Sequence, residues 1–508
     1  MRQGVTGSTA RPLNKKHIGN YNKRMAKEFI IAIELGSSKV TGIAGTKNID
    51  GSLNVLAVVK EDSKSSIRKG VVYKSDKAAE CLKNIINKLR NNLKTNIDKV
   101  YVGIGGQGLH SVKNVIVREY EQPTIVSQAF VDGVLDTNRA MSYSEQKILE
   151  AVPLEFKVDS QYQIDPLGIQ CKRLEGNMLN ILCRNSFVRM LRTCLESAGI
   201  SVFDTYLTPL TLADSVLTDG EMRSGCLLVD LGADTATVSV YYRNILRFLT
   251  VVPLGSANIT KDIESLSTDE ETAEKLKLKY GTAVLDGLDA DDNRKVKIDT
   301  DRTVEYSRLV ELIQARAEEI VRNVWNMVPE EYRDKLLGGI VLTGGGSNMT
   351  GIDKSFRDIT KVEKVRIADF ISQHVSYSNC EPLAHDGTMN GVLSLLLKGE
   401  ENCAGAEIDD SLFGNSSHVS PTFTTTSTAT DAQTASAVQG NAADSQQATD
   451  TAAAQQHTVT TTVTDEEEDD EEEEETVQRK PSVWGKFMTR VKDFGHAIVT
   501  GESDDKSV

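Results

Sequence analysis

The chain has 508 residues, 26% of them charged and 5% aromatic, with a formal net charge of −15. This length supports two domains or one large bilobed one with a buried core, and the acidic balance argues against nucleic acid as a partner. Seven cysteines, odd in number and without CxxC spacing, argue for a reducing compartment and against a disulfide or zinc framework.

Residues 1–27 carry many cations but no apolar run of signal-peptide length, so a disordered tail on a cytosolic protein is expected, with Met25 as an alternative start. Glu28 to Gly45 reads as an apolar strand, a turn at Gly36-Ser37-Ser38 and a second strand beginning at Lys39 or Val40. Residues 98–184 are longer than a simple crossover needs and read as a small inserted α/β subdomain, with a helical stretch near Tyr143 to Leu149 and a strand from Met178 to Cys183. Within it, Gly103 to Gly108 satisfies GxGxxG, but Leu109 to Tyr120 alternates like a strand rather than opening a helix, so the dinucleotide fingerprint lacks its context.

Gly225 to Tyr242 repeats the opening plan of strand, acid, turn at Gly232-Ala233-Asp234-Thr235 and strand. A smaller subdomain, 256–336, holds a long helix from Val304 to Val328 whose stripe of Leu309, Leu312, Ile313, Ile320, Val324 and Met327 is expected to face the core. A third apolar strand, Gly339 to Leu342, runs into Thr343-Gly344-Gly345-Gly346-Ser347. Glycine at such turns lets backbone N–H groups cradle phosphate oxygens, and an acid at the end of the preceding strand can hold magnesium through water.

Residues 399–478 turn to Ser, Thr, Ala, Gln and Asp and end in the acidic run Asp465 to Glu475, a composition expected to stay disordered. A flexible coil of that length spans about 50 Å. Without those eleven carboxylates the net charge of −15 falls to −4. Residues 479–500 then read as an amphipathic helix with Val483, Trp484, Phe487, Met488, Val491, Phe494 and Ile498 on one face and Lys486, Arg490 and Lys492 off it. Its apolar stripe falls short of the roughly 20 residues needed to cross a bilayer, so it is expected to lie in the interface of an anionic membrane. Each cation there contributes about 1 kcal/mol. A terminal helix docked on the protein's own core is the commoner fate of such a pattern, but the long acidic tether favours the membrane.

The three glycine turns, in this order, resemble the phosphate-1, phosphate-2 and adenosine motifs of the actin, Hsp70 and sugar-kinase superfamily. Within it the chain is most similar to the FtsA family of bacterial cell-division proteins, over roughly Glu28 to Lys398 and again in the tethered terminal helix. The resemblance implies an α/β, actin-like bilobed ATPase fold with an FtsA-type inserted subdomain, a disordered linker and a C-terminal amphipathic helix. It divides the body into a first lobe at 28–97 completed by 382–398, the insert at 98–184, and a second lobe at 185–381.

It further implies ATP and Mg2+ in the interlobe cleft. Gly36, Ser37, Ser38 and Lys39 would bracket the β-phosphate, Gly232 and Thr235 the far side, and Gly344, Gly345, Gly346 and Ser347 the adenosine. Glu274 and Lys277 would reach ribose and adenine, with Glu34 and Asp230 near the metal. Two departures stand out: Glu34 replaces the family's usual Asp, and Asp234 places a carboxylate in the phosphate cradle, where it repels the ligand unless it faces away or meets the metal. No catalytic base is evident, so at most slow ATP turnover is implied.

The implied role is a peripheral protein on the cytoplasmic face of the inner membrane at the division septum, self-associating into filaments, binding the C-terminal peptide of FtsZ and meeting downstream division proteins. A membrane-associated actin-like scaffold of cell shape or pilus assembly, or a kinase-like enzyme of the superfamily, are the alternatives. Trp484→Glu or Phe487→Glu is expected to release the protein from anionic vesicles in a sedimentation assay while ATP binding persists; joint loss of both would make the helix part of the fold.

Overall fold

The computed structural model describes residues 28–285, 294–298, 302–378 and 380–407. The expected disordered tail at 1–27, the acidic run and the expected amphipathic helix at 479–500 lie outside the described residues.

Two sheets built on one plan face each other. In the first, Ile30–Leu35, Lys39–Lys47 and Leu53–Asp62 form an antiparallel meander, and Lys99–Ile104 and Ser201–Leu207 add in parallel beside Ile30–Leu35. In the second, Cys226–Leu231, Ala236–Tyr242 and Ile245–Val252 repeat the meander, with Gly339–Thr343 and Val365–Ile367 added in parallel. The central strands read as near-continuous apolar runs because helices cover both faces. In the first lobe the helices Ser75–Leu93 and Asn185–Ala198 pack together, and Thr208–Val216 packs against Asn390–Lys398.

Several expected boundaries are corrected by strand pairing. The strand Lys99–Ile104, expected within the insert, lies in the first-lobe sheet, where Glu34 stands opposite Gly103. Residues 185–216, expected in the second lobe, also serve the first: Ser201–Leu207 pairs in parallel with Lys99–Ile104. Val375–Tyr377 likewise joins Leu53–Asp62. A chain leaving and re-entering a lobe gives no compositional mark, since both lobes bury the same residue types.

The insert therefore begins after Ile104. Its strands His110–Ile125, Gln146–Val158 and Gln170–Arg184 continue the second-lobe sheet through the pairing of Thr250 with His110. Its helix is Gln128–Arg139, burying Val131, Val134 and Leu135 against Phe156, Leu174 and Met178. The stretch near Tyr143, expected to be helical, instead makes a bridge to Gln146 and enters a strand.

The long helix of the smaller subdomain is Tyr306–Met327, with Val304 in a preceding short strand. Leu309, Ile313, Ile320 and Val324 are buried, whereas Met327 is exposed. The expected start of the linker at 399 moves outward too, because Ala404–Glu407 pairs antiparallel with Thr95–Ile97.

Candidate functional site

Register makes the two opening hairpins equivalent. Glu34 is the penultimate residue of its strand, opposite Thr41 on one side and Gly103 on the other. Asp230 holds the same place in the second lobe, opposite Thr237 and Thr343. Each turn closes alike: Gly36 N donates to Lys39 O at 3.1 Å, and Gly232 N donates to Thr235 O at 2.8 Å. The two turns face each other across a cleft of about 1210 Å³ between the lobes.

The third loop comes close because its glycines have no side chain. Gly344 has φ +83°, and a Cβ there would overlap Asp230 Oδ1; a Cβ on Gly391 would overlap Glu34 Oε1. Each carboxylate is thus seated against bare backbone. Asn390 Nδ2, fully buried behind the floor, donates to Thr343 Oγ1 at 3.0 Å and Ala368 O at 2.9 Å, tying the last helix to the third loop.

Glu34 and Asp230 are half-buried at the floor. Burial, and secondarily the charge of Asp230, raises the Glu34 carboxyl to about 7 against the partial opposition of Lys39; burial raises Asp230 to about 6. Lys39 is itself lowered, first by burial and then by Lys60. Among the described residues no cluster of three or more His, Cys, Asp or Glu could by itself hold a metal. Two carboxylates whose ionised forms are disfavoured by burial suit a hard cation that keeps most of its ligands as water and phosphate, the usual habit of magnesium.

The helix Glu270–Tyr280 brings Glu274 and Lys277 to the same cleft. Lys277 Nζ meets Glu274 Oε2 at 2.7 Å and Thr260 Oγ1 at 2.9 Å, while Thr260 Oγ1 donates to Glu274 Oε2 at 2.6 Å. Burial would raise Glu274, but the hydrogen bonds from Lys277 and Thr260 outweigh it and hold the carboxyl low.

Of the twelve residues expected around a nucleotide, eleven line this one cleft. Ser347 does not: it is buried and its hydroxyl donates to Gly344 O at 2.7 Å, bracing the loop from behind. Asp234 turns toward the first lobe and accepts from Lys69 N at 3.0 Å.

Sequence reasoning missed the loop Asp386–Thr388, whose Asp386 O accepts from Asn348 Nδ2 at 2.7 Å, and also Gly391, although the Asp-Gly pair before an apolar helix was a readable turn signal. Gly105 and Gly106, set aside as a false dinucleotide motif, also line the cleft. Lys64 and Lys69 reach it from the approach to and the turn of a short hairpin, Ile67–Arg68 with Val71–Val72, that no motif marks.

Two like sheets with opposed glycine turns and paired acids at one cleft define a protein of the actin-like class. In keeping with this fold, the PilM-PilN type IV pilus biogenesis complex is similar, with a TM-score of 0.51 and 16% identity over 73% of this chain and 98% of that one. The family model for cell division protein FtsA matches residues 227–380, and that for the SHS2 domain inserted in FtsA matches 106–182.

The cell division protein FtsA of Porphyromonas gingivalis is 30% identical over 363 residues, covering 68% of this chain and 76% of its own. Those of Pseudomonas aeruginosa and Bacillus subtilis are each 29% identical, covering 64% and 67% of this chain and 79% and 78% of their own. The chain belongs to the FtsA family of cell-division proteins.

Gly344→Ala should displace Asp230 and cost most of the nucleotide affinity in equilibrium dialysis; unchanged affinity in a variant of normal melting temperature would remove the third loop from the site. Because the folded state holds the Glu34 proton up to about pH 7 and an unfolded carboxyl only to about 4.5, the native protein loses stability as pH rises through that window. Glu34→Gln removes the loss, so without nucleotide or metal its melting temperature should exceed that of the unsubstituted protein at pH 8 by more than at pH 5.

Proposed function

We propose that this chain binds ATP with Mg2+ between its lobes and assembles into filaments. These filaments tether FtsZ, by its C-terminal peptide, to the cytoplasmic face of the inner membrane at the division septum. The observation that carries this reading is the convergence of Gly36–Lys39, Gly232–Thr235 and Gly344–Gly346 on one cleft floored by Glu34 and Asp230, in a chain of the FtsA family.

Ser37, Ser38 and Lys39 would meet the phosphates from the first lobe and Gly232 and Thr235 from the second. Gly344 to Gly346, with Glu274 and Lys277, would enclose the nucleoside. Glu34 and Asp230 would hold the cation through water, the longer glutamate reaching from the first lobe. Magnesium supplies charge neutralisation between the phosphates and this acidic floor. Nucleotide then serves to hold the two lobes in one relation, with slow turnover at most, rather than to feed a second substrate.

Among the described residues no helix is long and apolar enough to cross a membrane. Attachment is assigned to Val483, Trp484, Phe487 and their neighbours, a stretch whose sequence pattern is that of one short amphipathic helix, which alone would hold weakly. Filament formation places many such helices on one surface and multiplies the avidity.

The test is co-sedimentation of purified FtsZ with anionic vesicles and ATP, with this protein or with a version ending before Arg479. FtsZ should pellet only with the full-length chain. Pelleting of this protein alone, with FtsZ left in the supernatant, would point to another membrane-bound scaffold.

A further inference from the structure

The hairpin Ile67–Arg68 and Val71–Val72 turns at Lys69 and Gly70, both with positive φ, of 50° and 71°. Three parts of the molecule meet at this one dipeptide. From the second-lobe turn, Asp234 Oδ2 accepts from Lys69 N at 3.0 Å. From the first-lobe turn, Ser37 Oγ accepts from Gly70 N at 2.8 Å. From the neck of the insert, Gln107 N donates to Lys69 O at 2.7 Å.

The neck contact is backbone against backbone. A Cβ on Gly70 would lie 2.5 Å from Gly106 Cα, and one on Gly106 would lie 2.6 Å from Gly70 O. The glycines of the unused GxGxxG motif therefore make room for the turn. Three residues beyond Gln107 begins the insert's long strand His110–Ile125. The hairpin is anchored at its base as well, where Ser63 Oγ donates to Gly36 O at 2.6 Å and Lys64 forms an exposed ion pair with Glu270 across the cleft mouth.

We propose that the Lys69–Gly70 turn senses phosphate in the cleft and passes its position to the inserted subdomain, with Asp234 as the positioning residue. The proposal rests on nucleotide occupying the cleft. A phosphate between the two glycine turns accepts from the Ser37 hydroxyl, drawing toward itself the side chain whose oxygen receives the Gly70 amide, and it repels the Asp234 carboxylate, so it acts on both hydrogen bonds that fix the turn. No side chain stands between Gly70 and Gly106 to absorb the displacement, and it reaches the neck. Asp234, which departs from a plain glycine cradle, is placed here as the acceptor that sets the resting position of the turn.

The experiment is hydrogen exchange on the full chain with and without saturating Mg-ATP, comparing the unsubstituted protein, Asp234→Ala and Asp234→Asn. ATP should slow exchange at Gly36–Lys39 in all three. It should change exchange at Gly105–Val112 by about fivefold or more in the unsubstituted protein, by less in Asp234→Asn, which keeps the acceptor oxygen for Lys69 N but not the charge that phosphate repels, and not in Asp234→Ala.

An equal neck response in Asp234→Ala overturns the proposal. So does a silent neck in the unsubstituted protein when Gly36–Lys39 is protected; both results leave the nucleotide cleft standing. Loss of protection at Gly36–Lys39 in Asp234→Ala alone would make Asp234 a binding residue and also overturn it. No protection by ATP in any variant removes the cleft reading together with this one.

Discussion

Two carboxylates confined to one cleft floor set the terms for the rest of this molecule. Glu34 and Asp230 occupy the same register position in two similar sheets, and the sheets face each other, so the acids share a partly dehydrated space. Burial works against both charges, and Asp230 adds further to the cost at Glu34. The surrounding choices follow from this. Gly344 and Gly391 are bare because the carboxylates lie where their side chains would be, and Lys39 is the nearby cation that offsets part of the cost. A site of this kind gains most from a ligand that brings its own positive charge.

The second organising feature is how the insert joins the body. Its sheet runs on from the second lobe at Thr250 and His110, while its neck touches the first lobe through Lys69, Gly70 and Gly106. The insert therefore has one footing on each side of the cleft. Any change in the relation between the lobes changes the relation between those footings, and the subdomain sits where such a change would be felt. One face of it buries its own core, built on Phe156, Met178 and the helix Gln128–Arg139, while Leu154, Leu179, Ile181 and Cys183 of the same strands join the large core shared with the first lobe.

Much of the site was readable along the chain because its parts are local. A strand, an acid and a glycine turn occupy a dozen residues, and the same pattern at Glu28 to Gly45 and Gly225 to Tyr242 marks both halves of the cleft. What was missed is assembled from a distance. Lys69 and Asp234 are 165 residues apart. Gly105 and Gly106 carried a motif-like spacing whose reading as a dinucleotide site failed correctly, since a strand follows; their contact with Gly70 has no sequence signature. Ser347 looked like its neighbours but turned inward, because a short 3-10 turn at Gly345–Asn348 points its hydroxyl back to Gly344.

By itself the sequence determined the local elements: alternation and apolar runs define the strands, helical stripes the long helices, and glycine the turns, all through interactions spanning a few residues. It also determined the family, through turns whose order along the chain is distinctive. Only the tertiary structure decided which lobe owns each segment, that Lys99–Ile104 and Ser201–Leu207 complete the first sheet, and that Asp234 faces a backbone amide rather than the heart of the cradle. These depend on parallel pairing and interlobe contact between segments far apart in the chain, where the energy lies in the meeting of two surfaces and neither surface alone records its partner.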